Sequence, residues 1–239
     1  MIDLHSHILP GVDDGAHQLE DALRMLRVAV DDGVRVQMLT PHIHIGRYPN
    51  TAESLRVAFE EFQREVTAAG IEVELRLAAE LRIGPELVGL AKQDGLPFLG
   101  VLDGRRVMLM EFPHSSIPAG SENMVEWLLQ RDILPMIAHP ERNQALQRRP
   151  AKLEPFVRAG CLLQVTAGSL TGHFGPRARQ LAERLLAAGR VAVLATDAHN
   201  LAYRPPDLSA GVAAAARLIG DEAARRMVWD TPRALLETA

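Results

Sequence analysis

Short apolar segments of strand length alternate along this chain with segments that have the apolar spacing of helices. The predicted strands are residues 2–8, 34–40, 73–79, 106–110, 133–138, 161–166 and 191–196. Helical patterns begin between them at residues 19, 51, 85, 121, 150 and 177, and further helices fill the chain from residue 208 onward. Strands that alternate with helices favour a parallel sheet, and the most economical arrangement is an α/β barrel.

The length and composition fit one such barrel. We expect residues 1–239 to fold as a single domain, because α/β barrels of this length are commonly one domain. The net charge is −4 with acids and bases interspersed, so no nucleic-acid partner is expected. The single cysteine excludes an internal disulfide framework. Without a targeting segment or a membrane-spanning apolar run, the chain is expected to be cytoplasmic, with no membrane insertion.

A His-x-His pair in the first predicted strand indicates metal binding. Alternate side chains of a strand point the same way, so Asp3, His5 and His7 share one face. Two imidazoles this close can bind one divalent ion, and Asp14 adds a carboxylate in the loop beyond. The pair alone is a weak signal, because an edge strand with two solvated histidines has the same pattern.

The stronger signal is that metal-binding side chains stand at the carboxyl ends of six of the seven predicted strands. Those ends converge on one face of a parallel barrel, where active sites are built. Singly, Glu80 or Glu111 would serve as a salt-bridge partner and His139 as a loop histidine. Together these residues exceed what one ion takes, so two or three ions that share carboxylates fit better. The candidate ligands are His5, His7, Asp14, His42, Glu80, Glu111, His139, Asp197 and His199.

Several motifs occur in an order that resembles a known family. They are Asp3-Leu-His-Ser-His-Ile-Leu-Pro-Gly-Val-Asp-Asp-Gly15, Thr40-Pro-His42, Gly46-Arg-Tyr48, Ala79-Glu80, Glu111-Phe112, Ile137-Ala-His-Pro-Glu-Arg-Asn143, Ala167-Gly-Ser-Leu-Thr-Gly-His-Phe-Gly175 and Thr196-Asp-Ala-His-Asn200. With them the chain resembles the PHP (polymerase and histidinol phosphatase) superfamily. More closely, it resembles the bacterial PHP-type protein-tyrosine phosphatases of capsule and exopolysaccharide operons.

The resemblance implies a distorted (β/α)7 TIM-like barrel, the PHP fold, with a trinuclear metal site at the C-terminal ends of the strands. It implies two to three divalent transition-metal ions (Mn, Fe or Zn), with manganese favoured. Its ligand sets fall on His5, His7, Glu80 and Asp197 for one ion, on Glu80, Glu111 and His139 for another, and on Asp14, His42 and His199 for the third. The run His42-Ile43-His44 departs from the family's adjacent histidines, and His42, which follows Pro41, is preferred as the ligand.

The chemistry expected of such a centre is hydrolysis of a phosphate ester by a metal-bound hydroxide. Arg142, in the family's His-Pro-Glu-Arg motif, and Arg204 are expected to hold phosphoryl oxygens, since a guanidinium donates two parallel hydrogen bonds. A thiol-based mechanism is excluded, because Ala167 stands where a Cys-x5-Arg loop beginning at Cys161 would need arginine. The candidate catalytic residues are Arg142, Arg204, Asp14 and His199.

Five other residues on the predicted metal face keep two interpretations each. His44, His114 and His173 contact substrate or are solvated, and Tyr48 and Phe174 flank an aromatic substrate or anchor their loops. The sequence pattern is the same in both cases.

Three functions are consistent with these residues. The favoured one is a metal-dependent phosphatase that opposes a bacterial tyrosine kinase controlling capsule or exopolysaccharide synthesis, with the kinase's tyrosine-rich tail as the phosphotyrosine substrate. The second is a small-molecule phosphatase of the histidinol-phosphate type on the same metals, which the tyrosine-phosphatase-like Gly11-Val-Asp-Asp-Gly15 stretch argues against. The third is a non-catalytic metal-binding module, which a complete ligand set argues against.

Overall fold

The structure, a computed structural model, describes residues 1–237 as strands and helices in alternation. The strands are β1 (Ile2–Asp3), β2 (Val36–Leu39), β3 (His42–Ile43), β4 (Glu74–Leu77), β5 (Glu80–Arg82), β6 (Gly100–Leu102), β7 (Arg105–Glu111), β8 (Ile133–Ala138), β9 (Leu162–Thr166) and β10 (Val193–Ala195). The helices are α1 (Leu19–Asp31), α2 (Ala52–Ala68), α3 (Glu86–Lys92), α4 (Ser121–Leu129), α5 (Gln144–Arg148), α6 (Glu154–Arg158), α7 (Ala167–Leu170), α8 (Pro176–Ala187), α9 (Ser209–Ile219), α10 (Asp221–Val228) and α11 (Asp230–Glu237). The 3-10 turns Pro140–Arg142 and Pro150–Leu153 precede α5 and α6.

The strands form a distorted (β/α)7 barrel. One sheet has the order β1-β2-β4, and the other has the order β10-β9-β8-β7-β5-β3 with β6 antiparallel on β7. β3 follows β2 directly after Pro41, and β5 follows β4, so the two sheets run into each other through bent strands. A parallel bridge between Ser6 and Ala198 joins the segment after β1 to the segment after β10. At this junction the strands are joined by a single bridge in place of a ladder.

Each of the seven predicted strands is present, but the first is shorter than predicted. Regular pairing ends at Asp3, and the extent predicted to residue 8 is wrong. The reason is local: the backbone N–H of His5 donates to Asp3 Oδ1 (3.3 Å). The Asp3 carboxylate also accepts from Gln37 Nε2 (3.0 Å) and Thr196 Oγ1 (2.5 Å). Asp3 therefore links β1 to β2 and to the segment after β10, close to His5 and His7.

Several short elements were not predicted. β3 and β5 lie just past the predicted ends of the second and third strands, β6 is a short antiparallel partner, and α5 and α7 are single turns. The helix predicted from residue 150 is divided into the turn Pro150–Leu153 and α6. Pro155 lies in the first turn of α6, where its missing N–H is tolerated.

The side chains of β7 point alternately into the barrel and toward the surrounding helices. Val107 and Leu109 are buried in the apolar interior, whereas Met108 and Met110 are buried against the surrounding helices. Glu111 continues the face of Val107 and Leu109, because side chains of a strand alternate with a period of two. The same pattern that fills the barrel with apolar residues therefore ends in a carboxylate at its carboxyl end.

The helices cover the outside of the barrel. α1 buries Met25, Leu26 and Ala29 on one face of the helix. α2 begins at a capping box, in which Thr51 Oγ1 accepts from the Ser54 N–H (3.1 Å) and Ser54 Oγ accepts from the Thr51 N–H (2.9 Å). Of the helices within residues 1–237, none is both long and apolar enough to span a bilayer.

Candidate metal centre

Histidine and acidic side chains from different strand ends meet at the carboxyl end of the barrel. Their nitrogen and carboxylate oxygen atoms form three overlapping groups, each with all ligand atoms within 4.8 Å of one another. The groups are His5, His7, Glu80 and Asp197; His7, Asp14, His42 and His199; and His42, Glu80 and Glu111. His139 Nε2 lies 2.8 Å from Glu80 Oε1. The structure therefore brings together all the candidate ligands named from the sequence, and their role as ligands stays a prediction.

We call His5, His7, Glu80 and Asp197 the inner group, and Asp14, His42 and His199 the outer group. The inner group has the membership that the resemblance implied for one ion. In the remaining group the structure places His42 beside Glu80 and Glu111, where the resemblance implied His139.

The inner group is buried, and its ligand atoms face one another. The Nε2 atoms of His5 and His7 are 3.2 Å apart. Asp197 Oδ1 lies 3.2 Å from His5 Nε2 and 3.3 Å from His7 Nε2. Glu80 Oε2 lies 3.5 Å and 3.3 Å from the same two nitrogens. Two imidazoles and two carboxylates thus surround one point.

Hydrogen bonds on the far side of each imidazole fix which nitrogen carries the proton. Gln164 Oε1 accepts the His139 backbone N–H (3.2 Å), so it is the amide oxygen, and its 2.9 Å contact with His5 Nδ1 places the proton on Nδ1. Asp13 Oδ2, 2.6 Å from His7 Nδ1, fixes the same arrangement there. Both Nε2 lone pairs therefore point inward.

The inner group fits a divalent cation. Its two imidazole lone pairs and two carboxylates converge on one point, and Asp197 Oδ1 has no hydrogen-bond partner within residues 1–237. Histidines that bind metals typically donate their other ring N–H to a carboxylate or a carbonyl oxygen, as His5 and His7 do here.

The electrostatics of the inner group also favour the binding of a positively charged ion. Burial opposes the charged form of His5, but Asp197 and Glu80 outweigh it and raise the pKa of this imidazole. Burial opposes ionisation of Asp197, yet Arg204 and His5 hold its pKa well below the ordinary value. The pKa of Glu80 is also held well below its ordinary value against the effect of burial, chiefly by His5. The carboxylates are ionised and attract whatever cation is available.

The outer group is more open. Asp14 Oδ1 lies 3.4 Å from His42 Nε2 and 3.7 Å from His199 Nε2, and the Asp14 side chain is 41% exposed. His42 Nδ1 lies 3.1 Å from Glu80 Oε2, which connects the outer group to the inner one. His199 Nε2 is buried and has no hydrogen-bond partner in the described part of the chain. The outer group therefore offers three ligands, one of which, Asp14, is exposed to solvent.

The other three histidines among the candidate ligands are in the neutral form that binds metals. Burial lowers the pKa of His42 and of His139 to about 4, and burial followed by the charge on His7 lowers that of His199 to about 2. These imidazoles are neutral at pH 7 and keep a lone pair for a cation.

Glu111 is destabilised as an anion. Burial, followed by repulsion from Glu80, raises its pKa to about 8. Arg82 Nη2 lies 2.8 Å from Glu111 Oε2 and offsets part of this effect. A bound cation beside Glu80 and Glu111 would relieve the repulsion between them.

Both arginines predicted to bind phosphate lie at the centre. Arg142 and Arg204 donate to the same atom, Asp197 Oδ2. Their side chains are 16% and 22% exposed. Asn200 Oδ1 accepts the backbone N–H of Arg204 (3.2 Å) and orders the loop that carries it. Their contact with a phosphoryl group stays a prediction.

The aromatic and histidine residues with two interpretations make contacts that order loops. The Tyr48 ring stacks on His42, with ring centroids 5.3 Å apart and planes 5° from parallel. His173 Nε2 donates to the backbone oxygen of Tyr203. The backbone of His44 pairs with that of Tyr48.

Two residues that orient the inner histidines were missed by the sequence analysis. Gln164 is a buried polar residue between apolar neighbours in strand β9, and that contrast was the available signal. Asp13 adjoins Asp14, but the sequence does not distinguish the residue that holds His7 from the candidate ligand. Buried Glu141 was also missed; its Oε1 accepts from the Thr166 N–H (3.0 Å).

The fold and the site define a class of protein: a distorted α/β barrel with a many-ligand candidate metal centre at the carboxyl ends of its strands. A family model described as capsular polysaccharide synthesis, CpsB/CapC, matches residues 1–237. The chain belongs to this family. The family resemblance inferred from the motifs is thereby confirmed.

The chain is similar to proteins named as tyrosine phosphatases. It is 36% identical over 205 residues to the tyrosine-protein phosphatase YwqE of Bacillus subtilis (strain 168), which covers 85% of this chain and 79% of the relative. It is 31% identical over 206 residues to the putative tyrosine-protein phosphatase CapC of Staphylococcus aureus, covering 86% and 79%.

A crystal structure from work on YwqE from Bacillus subtilis and CpsB from Streptococcus pneumoniae, described as unique metal-dependent tyrosine phosphatases, matches with a TM-score of 0.92. The sequence identity is 32%, and the match covers 100% of this chain and 95% of that chain. The phosphotriesterase homology protein from Escherichia coli shares the fold alone, with a TM-score of 0.58 at 15% identity over 97% of this chain and 95% of that one.

Proposed function

We propose that this chain is a metal-dependent tyrosine-protein phosphatase that removes phosphate from phosphotyrosine in a protein and acts in capsule or exopolysaccharide synthesis. The observation that carries the proposal is the inner group, where two imidazole lone pairs and two carboxylates converge on one point. The similarity to YwqE and CpsB, which are named tyrosine-protein phosphatases, supports the substrate class.

The proposed centre holds two to three divalent ions (Mn, Fe or Zn), with manganese favoured. The inner group would hold one, the outer group a second, and Glu80 and Glu111 would supply carboxylates to a third. Bound ions supply Lewis acidity toward phosphoryl oxygens and activate water as a nucleophile near neutral pH.

The chain's own residues bind and orient the phosphoryl group. Arg142 and Arg204 bring two permanent positive charges to the edge of the centre, each with a planar set of donors that matches phosphate oxygens. A phenolate, whose conjugate acid has a pKa of about 10, leaves with less help from a proton donor than an alkoxide does. The proposed reaction therefore assigns no side chain as a dedicated general acid.

The proposed substrate is the tyrosine-rich tail of a bacterial tyrosine kinase. The capsular polysaccharide family supports this context. We also infer a cytoplasmic location, which the single, buried free cysteine supports because free thiols persist in reducing compartments.

The test measures metal content and turnover on the same purified protein. Elemental analysis after incubation with excess manganese should give more than one equivalent of metal, because the candidate ligands exceed the needs of one ion. Chelation should abolish hydrolysis of para-nitrophenyl phosphate, and manganese, iron or zinc should restore it. One equivalent or less would contradict the multinuclear centre.

Substrate choice tests the second half of the proposal. The restored protein should hydrolyse a phosphotyrosine peptide in preference to histidinol phosphate. Preference for histidinol phosphate would instead make the chain a small-molecule phosphatase, and metal binding without turnover of either substrate would make it a non-catalytic module.

A further inference from the structure

Arg142 is held against an aromatic ring. The central guanidinium carbon of Arg142 lies 4.4 Å from the centroid of the Phe174 ring. Another part of the same guanidinium donates to Asp197. A planar guanidinium stacks on aromatic faces, and the attraction grows when the pair is shielded from water. The Arg142 side chain is mostly buried, so the contact with Phe174 belongs to the stronger kind.

The Phe174 ring is itself fixed in place. Its loop is closed by backbone hydrogen bonds from the His173 N–H to the Gly168 oxygen (2.9 Å) and from the Gly175 N–H to the Gly172 oxygen (3.0 Å). The ring packs so closely on Gly168 that an added Cβ there would lie 3.2 Å from Phe174 Cε2. The ring therefore packs on both the Gly168 backbone and the guanidinium of Arg142.

The backbone of Arg142 is tied to the same loop. Its neighbour Glu141 is buried, and Glu141 Oε1 accepts from the Thr166 N–H (3.0 Å) and from Ser169 Oγ (2.7 Å). Ser169 lies in α7, which leads into the loop that carries Phe174. The segment from Thr166 to Phe174 therefore positions both the backbone next to Arg142 and its guanidinium.

We propose that Phe174 is a positioning residue for Arg142: its ring sets the plane of the guanidinium that holds the phosphoryl group. This inference rests on the proposed function, in which Arg142 binds phosphate. It gives Phe174 a role that differs from both interpretations drawn from the sequence, which were contact with an aromatic substrate and anchoring of its loop.

The kinetic test is Phe174→Leu, with Phe174→Trp as the rescue. Loss of the ring should lower kcat/KM by about two- to thirtyfold, the range equivalent to one cation–π contact, and should weaken inhibition by vanadate to a similar degree. Phe174→Trp keeps an aromatic face and should retain most of the activity. Wild-type kinetics and wild-type vanadate inhibition in Phe174→Leu would overturn the proposal.

Phe98→Leu is the matched control. It removes a similar contact, with Arg106 4.5 Å from the ring centroid of Phe98, at the opposite end of β7 from Glu111. Melting temperatures of all variants separate stability from catalysis. The control should leave kcat/KM unchanged, and an equal fall in both leucine variants would show a general effect of stability and refute the assigned role.

A double-mutant cycle identifies what the ring acts on. In an Arg142→Ala background, Phe174→Leu should cause no further loss, because the group that it positions is gone. If Phe174 instead contacts the substrate ring, the loss persists in that background and appears only with aromatic phosphate esters. That result would overturn the proposal.

A readout without turnover separates this inference from the proposed function. The Nε–Hε resonance of Arg142, assigned by its absence in Arg142→Ala, should shift in Phe174→Leu as the ring current is lost, while that of Arg204 stays in place. An inactive wild type with this shift would refute the phosphatase but not the contact. If Phe174→Leu does not fold, Phe174→Met is measured in its place, and an unchanged Arg142 resonance would refute the positioning role.

Discussion

The two halves of the candidate metal centre differ in how completely the fold prepares them. The inner group is buried, and Gln164 and Asp13 fix the tautomers of His5 and His7. The outer group includes Asp14, whose side chain is 41% exposed. A buried set of converging acceptors gains more from a cation than an open one, because water cannot satisfy it.

This difference follows from where the two halves sit on the barrel. The inner group stands directly above the apolar interior, which includes Leu4, Leu109 and Met136. Asp14 is instead supplied by the loop after the first strand. We therefore expect a chelator to remove the ion of the outer group first, while the inner group retains its ion longer.

The largest effects should come from Glu80 of the inner group and from His139 beside it. Glu80→Gln removes a carboxylate that contacts His5, His7 and His42, so metal content and turnover should both fall to background. His139→Ala should behave in the same way, since its Nε2 lies against Glu80. Asp14→Asn should lose the metal of the outer group but keep the ion of the inner group, so about one to two equivalents should remain.

The matched control for these ligand variants is Glu74→Gln, which removes an exposed carboxylate at the start of β4 and should change neither quantity. Elemental analysis and para-nitrophenyl phosphate hydrolysis measure both properties. Equal metal loss in Glu80→Gln and Asp14→Asn would remove the distinction between the two halves.

A smaller effect should come from the residue that orients His5. Gln164→Leu leaves every candidate ligand in place but removes the acceptor of the His5 Nδ1–H, so metal affinity should fall by about 10–100-fold. Gln37→Leu is a matched control, because Gln37 is also a buried strand glutamine but bonds Asp3. Competition with a chelator measures the affinity, and equal loss in both variants would show only general destabilisation.

Arg142→Ala should separate phosphate binding from metal binding. Metal content should stay unchanged, because a guanidinium has no lone pair for a cation. The value of kcat/KM should fall by about ten- to a hundredfold, since charge-assisted hydrogen bonds contribute roughly 1.5–3 kcal/mol. Inorganic phosphate should also inhibit the variant less. Wild-type turnover of a phosphotyrosine peptide with unchanged phosphate inhibition would contradict the role, and Arg204 would be tested next.

The sequence was sufficient for the positions of seven strands along the chain and for the residues that meet at their ends. Both depend on short-range periodicity together with one general property of parallel barrels. The difference between the inner and outer groups could not be predicted from the sequence, because it depends on contacts between residues far apart in the chain, such as that of Gln164 with His5. The contact of Arg142 with Phe174 was missed for the same reason. The bends after β2 and β4 were also missed, since β3 and β5 are too short to have a period.

The smallest effect should come from the one thiol. Cys161 is buried, and burial raises its pKa to about 12, so it is protonated at neutral pH and is no nucleophile. Cys161→Ser should therefore keep the kcat/KM of the wild type, although burying a hydroxyl costs about 1–3 kcal/mol of stability. Iodoacetamide at neutral pH should leave the folded wild type active. Inactivation in step with alkylation, or a large loss of turnover in Cys161→Ser with fold and metal intact, would show that the chemistry does not belong to the metal-centre residues alone.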